Sequence, residues 1–242
     1  MRTKKITTTK TITRLKTLLV LVATVSILSG CATRTQYLTK QEAFPAMYDQ
    51  KPLSILVVPA INDSTAADAG DIYASTIAPY LSYGGYYVLP IEITTAMLRA
   101  DGIQDGHQLL DVPAEKLGAM FGADAVLFVN ITEWDTNYRV FGGNVTVAIG
   151  FDLKSTKTGE SLWSYKVRQV TNTSGDSNNG GLLGAIIVTA IKTATQDYMP
   201  IAKQVNSIAV STLPLGSYHP FHNKDQLFKN VHPDLFGAAA KQ

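Results

Sequence analysis

The sequence predicts an α/β fold, a sandwich in which a mixed sheet with an antiparallel meander is flanked by helices. Two patterns carry this. Between residues 53 and 122, β-branched runs ended by proline alternate with helical stretches bounded by glycine, the order of strand–helix–strand units. After residue 124, a continuous apolar run, an alternating run and a returning run follow one another with only turns between them, the order of a meander.

The chain begins with a segment that is not part of that fold. Arg2, Lys4, Lys5, Lys10, Arg14 and Lys16 precede an apolar stretch from Leu18 to Leu28, and Leu28-Ser29-Gly30-Cys31 closes it. A basic start, an apolar core and small residues before a cysteine make a bacterial lipoprotein signal peptide over residues 1–30. Its core is too short for a permanent membrane span. Cleavage falls between Gly30 and Cys31, and Cys31 becomes an acylated amino terminus whose covalent lipid is the only prosthetic group expected; no cofactor is called for. Three acyl chains hold a protein far more firmly than one. The next residue is Ala32, not the aspartate that retains lipoproteins at the inner membrane of many Gram-negative bacteria, and by resemblance to that sorting rule the expected address is the outer membrane, facing the periplasm.

Removing residues 1–30 changes the electrostatics. The chain carries 21 basic and 19 acidic side chains; six basic ones leave with the signal, so 15 face 19 and the formal net charge is −4. A nucleic-acid partner is therefore not expected. The only cysteine is the acylated one, which excludes disulfides and thiol-based metal or redox chemistry and leaves burial to hold the fold.

Residues 31–50 are polar without a clear period and read as a flexible tether. A single α/β domain is expected over 51–213. Leu53-Ser54-Ile55-Leu56-Val57-Val58-Pro59 is a buried strand, and the loop to Asp71 leads into a helix that Asp71 caps and Gly84-Gly85 stops. Tyr86-Tyr87-Val88-Leu89-Pro90 is a second strand, followed by a helix from about Thr94 to Ala100. Asp111 and Pro113 at one end and Gly122 at the other delimit a short helix. The run from Ala125 to Trp134 starts fully apolar and ends in alternation. Val145, Val147, Ile149, Phe151 and Leu153 then alternate, the Lys157-Thr158-Gly159-Glu160 turn follows, and Leu162 to Val170 returns. A polar loop over 174–181 leads to Leu182-Leu183-Gly184-Ala185-Ile186-Ile187-Val188-Thr189-Ala190-Ile191, apolar on every side, and Pro200 kinks or divides the helical stretch that runs on to about Leu213. Residues 214–242 read as a loosely ordered tail. On this reading a chain cut to about residues 50–213 folds cooperatively by itself.

Several of these segments resemble a known family. Ser54-Ile55-Leu56-Val57-Val58-Pro59 with Asn62 and Ser64, Gly85-Tyr86-Tyr87-Val88-Leu89-Pro90, Pro113-Ala114-Glu115-Lys116-Leu117, Gly122-Ala123-Asp124-Ala125-Val126-Leu127 and Gly181-Leu182-Leu183-Gly184-Ala185 resemble, in order, the bacterial outer-membrane lipoproteins that include the neisserial genome-derived lipoprotein antigen. The strand-turn-strand from Asp152 to Trp163 is similar to a wider group, including the curli secretion lipoprotein CsgG, the peptidoglycan-synthase activator LpoB and the amino-terminal domain of TolB. The resemblance implies a TolB-amino-terminal-like sandwich and no particular activity.

The remaining candidates are weak as chemistry. Asp63, Asp68 and Asp71 lack the alternate spacing and closing glutamate of a calcium loop and read as loop and capping residues. His107, His219, His222 and His232 have no rigid frame for zinc. The loop at 174–181 has no phosphate-binding lysine at the helix entry. No nucleophile or metalloprotease motif occurs, and an enzyme is not expected. The helix around Leu182, Leu183, Ile186 and Ile187 is either core or an interface with an envelope protein or a second copy. The function expected is a non-enzymatic interaction or assembly module in the periplasm. Its alternatives are a subunit of a curli-channel-like export assembly, with 144–153 as a barrel segment, and an envelope hydrolase.

Overall fold

The computed structural model describes residues 36–139, 142–172 and 198–235. In chain order the elements are β1 (Leu38–Thr39), α1 (Lys40–Ala43), α2 (Pro45–Gln50), β2 (Ser54–Val57), β3 (Ile61–Asn62), α3 (Ala69–Tyr83), β4 (Tyr87–Val88), α4 (Ile91–Ala100), a 3-10 turn (Gly106–Leu109), α5 (Ala114–Phe121), β5 (Ala125–Arg139), β6 (Gly142–Ser155), β7 (Ser161–Asn172), α6 (Met199–Thr212) and β8 (Lys229–Val231). The main sheet has the order β4-β2-β5-β6-β7, with β3 on β5 as well. β2 is parallel to both β4 and β5, whereas β6 is antiparallel to β5 and β7. The mixed α/β sheet with a meander is thus observed. The segment 144–153, weighed as a barrel element, is an interior strand paired on both sides.

Side-chain alternation decides which residues go where. Ile55, Val57, Leu127, Val129, Ile131, Val147, Ile149, Phe151, Leu153 and Trp163 point to one face and are buried there with Tyr73, Ile77 and Leu81 of α3, Met47 of α2 and Ile201, Val205 and Ala209 of α6. Leu56, Val58 and Val126 point the other way and pack with Leu98, Leu109, Ala114 and Leu117. β2 is buried on both faces, which is why its sequence is an unbroken apolar run. In β5 the register slips between Ile131 and Glu133. The extra residue keeps Trp134, three positions after Ile131, on the core side at 1% exposure and turns Glu133 out, as a bulge does.

Three local readings need correction. α3 starts at Ala69 with Asp68 as its N-cap residue, and Asp71 lies within its first turn, paired with Arg99 at 3.1 Å. Pro113, not Asp111, stands at the N-cap of α5, and Gly122 ends that helix in the left-handed region as expected. Pro200 stands in the first turn of α6, where a missing N–H breaks no helical bond. The apolar stretch with Leu182, Leu183, Ile186 and Ile187, the loop at 174–181, and the Gly30–Cys31 signal junction lie outside the described residues.

The larger corrections concern the two flanks. Where residues 31–50 are expected as a tether, Thr39 caps α1 in a reciprocal box, accepting from the Glu42 N–H at 3.2 Å while its own N–H reaches Glu42 Oε2 at 2.8 Å. Phe44 and Met47 are both 3% exposed, and Phe44 meets Trp163 edge-on at 6.4 Å. Where 214–242 is expected as a loose tail, β8 pairs antiparallel with β1. The Lys166 N–H donates to the Leu235 carbonyl at 2.8 Å, so this segment also covers part of the β7 edge. The Gly84–Gly85 stop has a second purpose. Gly85 has φ +87°, and a Cβ on it would fall 2.5 Å from the His219 Cβ. The Gly216 and Tyr218 N–H groups donate to the Gly84 and Gly85 carbonyls at 2.8 and 3.1 Å. The described residues fall in one compact unit that begins at Gln36.

At the centre of that C-terminal cap lies a buried ion pair. Lys40 Nζ is 3.1 Å from Asp225 Oδ2, with side chains 4% and 0% exposed, and it donates to the Leu213 carbonyl at 2.7 Å. Asp225 also accepts from the Leu215 N–H at 2.9 Å and the Tyr48 hydroxyl at 3.3 Å. Burial lowers the Lys40 ammonium pKa against the opposing pull of Asp225. Burial pushes the Tyr48, Tyr73 and Tyr86 hydroxyls up, helped at Tyr48 and Tyr86 by the Asp225 charge.

A loss of stability at alkaline pH follows. Below about pH 10 these tyrosines are protonated in both states and contribute no slope. Above it the unfolded chain ionises first, so the folded state is disfavoured by up to about 1.4 kcal/mol per pH unit for each fully buried ring. Lys40 acts with the opposite sign: its lowered folded pKa makes stability rise with pH until the unfolded lysine titrates, near about 10.4. Thermal melts between about pH 8 and 12 should therefore show the midpoint falling only above about pH 10. Tyr86→Phe, which removes a donor to the Pro214 carbonyl, should make that fall shallower. A midpoint independent of pH over the whole range would contradict it.

Candidate functional site: a groove on the second sheet face

Among the described residues, the helices on the second face stop at β5. α4, the 3-10 turn and α5 bury Leu56, Val58 and Val126. Beyond them, the outward positions of β5, β6 and β7 floor a groove of about 850 Å³, with residues 109–115, the Thr158–Gly159 turn and Leu235 also lining it. That volume is within the range of binding pockets. The register lays the floor out in rows: Phe128 and Asp152 in one, and Asn130, Gly150 and Lys166 in the next. Glu133 pairs with Ala148, and Ala148 with Arg168, in a third.

Its electrostatics are mixed. Arg168 holds Glu133 in a two-pronged contact, Nε to Oε1 at 2.7 Å and the second nitrogen to Oε2 at 2.8 Å, and these hydrogen bonds lower the Glu133 carboxyl pKa. Lys154 Nζ lies 5.4 Å from the Phe128 ring centroid and 3.7 Å from Asp152 Oδ2. Asp152 accepts from the Ser161 hydroxyl at 2.5 Å. Lys166 extends over Gly150, where an added Cβ would meet its methylenes at an ordinary 3.8 Å. Unlike Lys154 and Arg168, Lys166 makes no ion pair among the described residues. Two residues before it on the same face of β7, the buried Ser164 Oγ has no hydrogen-bond partner among the described residues. The groove thus offers an aromatic floor, apolar wall residues Leu110 and Val112, one uncommitted cation and two satisfied ion pairs. These groups have the chemistry to complement a polypeptide segment or a polar ligand.

The residues singled out in the sequence do not come together here. Asp63 Oδ1 accepts from His107 Nε2 at 3.1 Å, and His107 also lies 3.4 Å from Asp105. Asp71 is on the surface with Arg99. His219 contacts Phe221, His222 bonds the Leu215 carbonyl at 2.8 Å, and His232 contacts Tyr37. Among the described residues no group of three or more His, Cys, Asp or Glu is placed to hold a metal, and no helix is long and apolar enough to cross a membrane. Sequence reasoning missed Phe128, Lys154, Lys166 and Arg168. Their only signal is that they occupy the polar or outward positions of strands whose other side is core.

The comparisons with known proteins agree with the sequence resemblance. The pattern of one family, described as "Putative lipoprotein GNA1162-like", matches residues 43–219. The lipoprotein NMB1124/NMB1162 of Neisseria meningitidis serogroup B is 32% identical over 202 residues, 82% of this chain and 90% of that one. The crystal structure of lipoprotein GNA1162 from Neisseria meningitidis covers 60% of this chain and 100% of its own at 33% identity and a TM-score of 0.49. The LpoB C-terminal domain from Salmonella enterica covers 54% and 95% at 18% identity and a TM-score of 0.37. On the extent of the family match and the identity to the neisserial relative, the chain belongs to the GNA1162-like lipoprotein family.

Proposed function

We propose that this lipoprotein is held by a lipid on Cys31 in the outer membrane, faces the periplasm, and works as a non-enzymatic interaction module whose sheet groove receives a segment of another envelope protein. The groove is the observation that supports this. It is large enough for several side chains, it is walled on more than one side, and among the described residues Lys166 has no carboxylate partner, so that an acidic or carboxyl-bearing segment would supply a counter-charge. Desolvated charge pairing of this kind gives specificity and orientation more than bulk affinity.

A photo-crosslinking amino acid at Leu110, which is 64% exposed at the groove wall, tests this in the intact envelope. A discrete adduct is expected, and Gly150→Phe should reduce it several-fold by filling the floor. Cys31→Ala should abolish both fatty-acid labelling and the adduct, because the precursor no longer reaches its membrane address. An adduct unchanged by Gly150→Phe would remove the groove from the reading, and fatty-acid label retained on Cys31→Ala would remove the anchor.

A further inference from the structure

Only residues 32–35 separate the proposed acylation site from the first described residue, Gln36. Six residue steps connect Cys31 to Tyr37, and at full extension they span at most about 21 Å. The expected freedom of a twenty-residue tether is therefore absent: the surface around Tyr37 stays close to the lipid. That surface is unusual in what it exposes. Tyr37 is 46% exposed, Phe221 59%, Leu227 79% and Phe228 56%. Tyr37 stacks edge-on with His232 at 5.5 Å. The Phe228 carbonyl accepts from the Lys40 N–H at 3.1 Å, which fixes Leu227 and Phe228 beside the point where the chain enters the domain. Phe221 lies under Lys224 Nζ at 5.8 Å, in the same cap built on Asp225. Lys224 and Lys229 flank these side chains and neither has an ion pair among the described residues.

From this we infer that the cap docks on the phospholipid surface, with Tyr37, Phe221, Leu227 and Phe228 in the interfacial layer and Lys224 and Lys229 toward anionic headgroups. The inference rests on the proposed anchoring at Cys31. Exposed clusters of large apolar side chains mark contact surfaces. Tyrosine and phenylalanine carry apolar bodies suited to the headgroup boundary, and lysine adds attraction to anionic lipid. An anchor within about 21 Å keeps the local lipid concentration high, so contacts too weak to bind a free protein suffice to hold this one. The domain is then oriented on the membrane and does not swing from it. The buried Lys40–Asp225 pair gives the cap the rigidity this requires.

Acylation consumes the only native cysteine, so an introduced cysteine is the one thiol of the mature protein. Leu227→Cys is compared with Ala67→Cys, an exposed position in the loop after β3, at the opposite, C-terminal end of the parallel strands. Each full-length acylated protein is reconstituted into phosphatidylethanolamine–phosphatidylglycerol vesicles, labelled with a polarity-sensitive fluorophore and floated with the lipid. Iodide quenching at position 227 should be at least about threefold weaker than at 67, and brominated acyl chains should quench the label at 227 but not at 67. Equal iodide quenching at both positions in floated protein would overturn the docking while leaving the anchor intact. Shielding at 227 that vanishes on dilution into excess lipid would assign the patch to a second copy and also overturn it. Wild-type protein that fails to float would overturn the anchor, and the docking with it.

Discussion

Asp225→Ala is expected to destabilise the protein by about 3–5 kcal/mol, a cost typical of breaking a buried ion pair from one side. The carboxylate is fully buried. It receives Lys40 Nζ at 3.1 Å, the Leu215 N–H at 2.9 Å and the Tyr48 hydroxyl at 3.3 Å. Without it, the Lys40 ammonium keeps the Leu213 carbonyl at 2.7 Å as its remaining partner, in a site where burial already disfavours its charge. The pair itself need not stabilise the fold relative to apolar residues. The double change Lys40→Met with Asp225→Leu removes both charges and should recover much of the loss. Urea melts of the wild type, each single variant and the double variant would separate the two effects through the coupling energy. A loss below about 1 kcal/mol for Asp225→Ala would mean that water reaches the pair and that the cap is not anchored there.

What could be read in advance depended on how long each physical signal persists along the chain. β6 alternates over its whole inner half, and α5 has proline before it and a left-handed glycine after it, so both were legible. The β5 bulge was not: the end of that run reads as plain alternation, and only the register slip between Ile131 and Glu133 shows the extra residue. The flanks were not, because β1, α1, α2 and β8 are between two and six residues long, shorter than the window in which a period can declare itself. Lys40 and Asp225 add to this. By type they belong to the solvent, and only the folded chain reveals that they bury each other across 185 positions of sequence.

The groove was hidden for a different reason. Alternation says that Lys154, Lys166 and Arg168 face away from the core, and the ordinary inference is that they face water. Whether a helix covers them is a property of the layer above, which among the described residues ends at β5. No local pattern encodes where that layer ends. The Cys31 signal stands at the other extreme, since it depends on local sequence chemistry and needs no fold at all. The proposed anchor therefore rests on local sequence alone, whereas the groove needed the folded chain.

Cutting the chain to residues 51–213, the piece that the hydrophobic pattern alone marks as sufficient, is expected to remove most of its stability. The cut takes away Phe44 and Met47 at 3% exposure and Val231 at 0%, all in the main core cluster. At about 1.5–3 kcal/mol for each buried side chain, the three together account for roughly 5–9 kcal/mol, against a total stability of about 5–15 kcal/mol for an ordinary domain. Trp163 loses its edge-on partner, and the Gly84 and Gly85 carbonyls lose theirs. Lys40 and Asp225 leave together, so no orphan charge adds to the cost. Circular dichroism melts should show a broad or absent transition for residues 51–213 and a sigmoidal one for residues 36–235. Pieces 36–213 and 51–235 should each fail in part, because β1 and β8 pair only with each other. A 51–213 piece melting within a few degrees of 36–235 would mean that the flanks contribute less than about 1 kcal/mol, and that they are laid over a core already complete without them.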